Sequence, residues 1–191
     1  MNFPENRYKH CHNVGLKMYK YAKEVFKWNE EKCNEMFVLG VIHDIGYELD
    51  KDAFGHDIIL SNTLKIDGYK YYNEIKNHSK LQHEYDTPEM RLLYFGDMTV
   101  DGTGNWCTFE ERLKDLEIRY GKDSEVYIES KKIAVQLTTW GFFDWKYYII
   151  NPTSNFLIFV IKSFWFWASF AYYTKNQNGL FLFLCFKILN Y

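Results

Sequence analysis

In the segment Leu39-Gly40-Val41-Ile42-His43-Asp44-Ile45-Gly46-Tyr47 an apolar run ends in adjacent His and Asp side chains. Burying an imidazole and a carboxylate without partners is costly. A divalent ion removes that cost, because imidazole nitrogen and carboxylate oxygen both ligate Mn, Fe, Zn or Mg-like ions. Two ligands do not hold a catalytic ion, so other segments must bring more.

The elements that would position them read as helices. From about Glu5 to Lys27, Val14, Met18, Ala22 and Val25 recur at spacings of three and four, one face of an amphipathic helix, and His10 lies four residues before Val14 on that face. Arg7 sits one turn earlier, where its guanidinium could reach a substrate phosphate or hold an acidic neighbour. A second helix should start after Asn29, with Glu30 and Glu31 complementing its dipole, and run through Met36, Leu39 and Val41 to Asp44, with Gly46 as a stop. Residues 55–66 and 69–78 predict two shorter helices around the Asp67-Gly68 turn, the first opened by His56 and the second closed by His78. Thr87-Pro88 caps a fifth helix carrying Met90, Leu93, Tyr94 and Asp97. The capping box from Thr108 to Glu111 opens a sixth that ends at Gly121, and Ser124 caps a seventh through Ile128, Ala134 and Leu137. No strand alternation precedes residue 145, so the expected fold is an all-α bundle of about seven helices followed by an aromatic-rich hydrophobic tail.

Arg7-Tyr8-Lys9-His10, Ile42-His43-Asp44-Ile45-Gly46 and Phe95-Gly96-Asp97-Met98 follow one another in an order that resembles the HD superfamily of metal-dependent phosphohydrolases. The resemblance covers roughly residues 5–138 and is specific for the family, much less so for substrate. It implies an HD-domain helical bundle in which His10, His43, Asp44 and Asp97 bind one metal ion. Asp44 would be the catalytic member, bridging to a second ion or orienting the nucleophilic water. Some HD subfamilies insert two further histidines to hold a second ion, and His56 and His78 occupy comparable places. The residues Asp57-Ile58-Ile59-Leu60 after His56 depart from that pattern, where small or glycine residues are usual.

Other polar residues have plainer readings. His12 should point away from the His10 face, solvated or supporting a ligand, and His83 reads as loop. Asp57, Lys80 and Asp101 are possible acid, base or phosphate contacts, yet each reads first as ordinary surface charge. Gly102-Thr103-Gly104 lacks the Lys and strand-to-helix context of a phosphate loop and reads as a connector. Tyr69, Tyr71 and Tyr72 should pack together or rim a pocket.

Charge divides the chain. No Asp or Glu follows Asp144, while Lys146, Lys162, Lys175 and Lys187 do, so residues 1–144 carry about −6 and the tail about +4. The acidic part argues against nucleic-acid binding, which needs a basic stripe. Small phosphorylated substrates stay compatible, since a metal supplies positive charge. Cys11, Cys33, Cys107 and Cys185 show no metal-knuckle spacing, and the N-terminus has no basic-then-apolar leader, which points to a cytoplasmic protein with free thiols. The expected division is a catalytic domain over 1–144 and a hydrophobic tail over 145–191. Within that tail Phe156–Tyr173 is an apolar stretch of 18 residues broken by one Lys, near the lower limit of about 17 for a membrane span. It reads as a membrane anchor, as an aromatic docking or dimerisation segment, or as an extension of altered reading frame without function.

The expectation is therefore a metal-dependent hydrolase of phosphate esters, a nucleotide or small phosphorylated metabolite, using one or two divalent ions. Two alternatives stand beside it: a di-iron oxygenase on the same scaffold, and a metal-retaining binding or regulatory module without turnover. Metal identity, substrate, general acid and oligomeric state are open at this point.

Overall fold

Four side-chain caps set where helices begin: Asn29, Thr87, Thr108 and Ser124 each stand in extended backbone and accept a hydrogen bond from an amide three residues on. The computed structural model describes residues 4–49, 55–82 and 84–142. Among them run α1 (Glu5–Glu24), α2 (Glu30–Ile42), a short 3-10 helix (Ile45–Glu48), α3 (Gly55–Ile66), α4 (Tyr72–Asn77), α5 (Pro88–Asp97), α6 (Phe109–Tyr120) and α7 (Glu125–Thr139). The described residues are all-α with seven α-helices and no strand beyond the isolated Val100–Trp106 bridge. His83 and the whole tail from residue 145, including the expected membrane stretch 156–173, lie outside the described residues. No helix among the described residues is long and apolar enough to cross a membrane.

The core is the contact of α1 with α2, closed by α5 and α7. Val14, Met18 and Ala22 from α1 meet Met36 and Leu39 from α2, with Leu92, Leu93 and Phe95 of α5 and Leu137 of α7 filling the remaining space. Gly15 and Gly40 allow the first two helices to cross backbone against backbone: a Cβ added at Gly40 would lie 2.6 Å from the Gly15 Cα. That crossing brings His10, one turn and a half before Gly15, beside His43 at the end of α2, with ring centroids 5.5 Å apart. Gly46, expected to stop the second helix, instead lies inside the 3-10 helix that follows it, and its use is a close approach. A Cβ there would lie 2.2 Å from the His56 carbonyl oxygen, so its bare backbone lets the start of α3 dock on the 3-10 helix.

Several boundaries moved inward from their expected places. Helix α1 ends at Glu24, three residues short, because Lys27 turns the chain with a positive φ of 55°. Val25 is consequently left 44% exposed at the helix end instead of facing the core. The α2 helix stops at Ile42, and His43, Asp44 and the 3-10 helix form a tighter corner. Tyr69–Tyr71 belong to the turn before α4, where Tyr69 and Tyr71 pack against each other, as expected, and Tyr71 bonds Glu35.

Candidate metal centre

Three of the histidines are anchored in the same way. Nδ1–H of His10 donates to the Asp101 carbonyl at 2.9 Å, that of His43 to the Gly40 carbonyl at 2.7 Å, and that of His78 to the Ile75 carbonyl at 2.7 Å. A carbonyl can only accept, so each Nδ1 carries a proton and each Nε2 is the free end of the ring. For His43 and His78 the carbonyl lies three residues back, at the C-terminal end of the same helix, where unpaired carbonyls are available. For His10 it comes from the 101–105 loop. The Asp101 side chain knits that loop by accepting from the amides of Thr103 and Asn105 at 2.8 and 2.9 Å, so Asp101 positions the site through its main chain.

These three Nε2 atoms, and that of His56, converge on Asp44. Its Oδ1 lies 3.2 Å from His78, 3.5 Å from His43 and 3.4 Å from His56, and its Oδ2 is 4.0 Å from His10. Two groups of donors result, His10 with His43 and Asp44, and Asp44 with His56 and His78, each with its ligand atoms within 4.8 Å of one another. These buried His and Asp groups could hold a metal ion. The polar atoms themselves argue for a cation: the His43 Nε2 is buried with no hydrogen-bond partner, and Nε2 of His10 faces a carboxylate oxygen of Asp97 at 3.1 Å. A lone pair aimed at a carboxylate needs a proton or a metal between the two.

Asp97 stands one step outside both groups. Its Oδ1 is shared between His10 and the guanidinium of Arg112, 2.9 Å away. Burial alone would raise its carboxyl pKa, but Arg112 and His10 outweigh that and hold it well below the usual range. Asp44 behaves alike, burial being overcome by the imidazoles of His43, His56 and His78. His43, in contrast, is driven below its ordinary value, burial being the largest cause. It is therefore neutral and ready to donate its lone pair.

Asp57, read first as ordinary surface charge, and Arg112, not singled out in the sequence, belong to the site. Asp57 is 3% exposed, with Oδ1 2.6 Å from His56 Nε2 and 3.4 Å from His78 Nδ1, which corrects its reading as surface charge. The signal was present, since His56-Asp57 repeats the His43-Asp44 pair. Arg112 is 6% exposed and ties Asp97 to Asp115; no spacing links it to the histidines in sequence. Tyr47 stacks on His56 at 3.6 Å between centroids and takes the Arg7 guanidinium 3.8 Å from its own ring centre. Of the plainer readings, Lys80 pairs with Glu125 and His12 stacks on Tyr8, both away from the cluster.

The cluster opens into a cavity of about 220 Å³, lined on the ionic side by His10, Asp44, His56, His78 and Asp97. Arg7, Arg112 and Arg119 line it as well, and Tyr94, Leu116, Val126 and Ile133 give it an apolar wall. Compared with family models, curated proteins and solved structures, the chain matches none.

Proposed function

We propose that the chain is an HD-type hydrolase of phosphate esters whose reaction takes place in this cavity, at divalent metal held by His10, His43, Asp44 and Asp97 with His56 and His78. The observation that carries the reading is the shared anchoring of His10, His43 and His78, which turns three Nε2 atoms toward one carboxylate beside an arginine-lined cavity. Such preset tautomers are what metal-ligating histidines need. A divalent ion there would acidify a bound water and offset the charge that builds on a phosphoryl group.

The chain's own residues divide the remaining work. Asp44, whose carboxylate belongs to both donor groups, would orient a water between them. Arg7 presents a buried Nη1 without a hydrogen-bond partner and is placed to meet substrate anion. The apolar wall excludes water from one side, which strengthens each of these interactions.

Metal analysis of the purified protein, followed by a panel of phosphomonoesters and phosphodiesters, tests the reading. Bound metal with turnover that His43→Ala abolishes is expected; full metal loading without hydrolysis of any panel member would sink it. Oxygen uptake by the iron-loaded protein in place of hydrolysis would instead favour a di-iron oxidase on the same ligands.

A further inference from the structure

Three guanidinium groups line the cavity, and they differ in what they have left to give. Arg119 spends Nε and Nη2 on Asp115 at 3.0 and 2.6 Å. Arg112 spends Nη1 on Asp115 and Nη2 on Asp97, at 3.0 and 2.9 Å, yet its Nε is buried with no partner. Arg7 is held by its flat face over Tyr47, which uses none of its hydrogens, and its Nη1 is likewise buried with no partner. A buried, unsatisfied guanidinium N–H is costly, and an anion is what offsets it.

We infer that Arg7 and Arg112 form an anion subsite for a terminal phosphate, and that the substrates are phosphomonoesters with a compact organic group. The inference rests on the cavity being the substrate chamber proposed above. A monoester phosphate has three free oxygens: one for the His and Asp side of the cavity, one for Arg7 and one for Arg112. A diester has only two, and leaves one partner unmet. At about 220 Å³ the cavity is smaller than the roughly 300–1,000 Å³ of pockets that enclose drug-sized ligands, so the part of the organic group it encloses against Leu116, Val126 and Ile133 is small. Arg112 thereby joins two jobs, because the guanidinium that holds Asp97 in place also offers its unpartnered Nε–H to the substrate.

The test is a set of calorimetric titrations with inorganic phosphate, methyl phosphate and dimethyl phosphate. They are run on the wild type, Arg7→Ala and Arg112→Lys, each metal-loaded and chelated, with metal content measured in parallel. Phosphate and methyl phosphate should bind the wild type, and dimethyl phosphate at least about tenfold more weakly. Arg7→Ala should lose about tenfold in phosphate affinity at wild-type metal content, since Arg7 touches no ligand. Arg112→Lys keeps the charge and removes the fork, and should lose a similar factor. Equal phosphate affinity in Arg7→Ala and wild type overturns the subsite while leaving metal-dependent hydrolysis standing. Equal affinity for methyl and dimethyl phosphate overturns the monoester assignment. Failure to take up metal, with Arg7-dependent phosphate binding retained in the chelated protein, overturns the hydrolase reading and leaves the subsite standing.

Discussion

Asp44 Oδ1 lies 3.2 Å from His78 Nε2 while Asp44 Oδ2 faces His10 at 4.0 Å, so one carboxylate reaches across both donor groups. If each group holds an ion, removing a ligand from one should empty that one alone. His78→Ala or His56→Ala is expected to lower metal content from two ions to one, and Asp44→Ala to lower both. Mass-spectrometric metal counting on the folded variants reads this directly, and an unchanged single ion throughout would mean a mononuclear site.

Metal uptake should release protons. At His78 burial opposes the charged form, but the Asp57 charge and the bond to Asp44 outweigh it and carry the pKa up to about 10. With the folded value above the unfolded 6.5, the stability this pairing contributes to the metal-free protein is whole below pH 6.5 and fades as pH rises toward 10. A metal needs the same Nε2 and must expel its proton. Apparent affinity should therefore fall by about tenfold per pH unit for each proton displaced as pH drops from about 8 to about 6. Calorimetry in two buffers of different ionisation enthalpy counts those protons; a pH-independent affinity would contradict the account.

Arg112 and Arg119 both pair with Asp115 but differ in burial, at 7% and 37% side-chain exposure. Replacing Arg112 by Met removes the guanidinium from Asp97 and Asp115 and should cost about 3 kcal/mol, toward the low end for a broken buried pair because the two carboxylates are a quarter exposed and Asp97 keeps His10. Arg119→Met should cost less than about 1 kcal/mol. Denaturant unfolding of the two variants should show that ratio.

Gly40→Ala sets helix propensity against sterics. Alanine gains up to about 1 kcal/mol over glycine inside a helix. The new Cβ would lie 2.6 Å from the backbone of Gly15, which cannot move aside as a side chain can. Overpacking of this kind costs about 1–3 kcal/mol, so net destabilisation is expected. Because the same crossing sets His10 against His43, metal affinity should drop with it. A variant as stable and as metal-competent as the wild type would show that the helices can spread without disturbing the site.

Much of this was legible along the chain. Helix starts were, because Asn29, Thr87, Thr108 and Ser124 act on amides three residues away and so write their signal locally. His43 and Asp44 were, because burying such groups at the end of an apolar helix demands a partner, whereas His10, His56 and His78 were singled out by the order of motifs that the chain resembles. What tertiary structure alone decided is which atoms face one another: that Asp57 stands against both His56 and His78, that Arg112 holds Asp97 from fifteen residues away, and that Arg7 lies across Tyr47. Those contacts depend on two close backbone approaches, Gly15 with Gly40 and Gly46 with His56. A glycine in sequence signals only freedom; the neighbour that fills the space it leaves comes from another helix, and packing, not spacing, selects it.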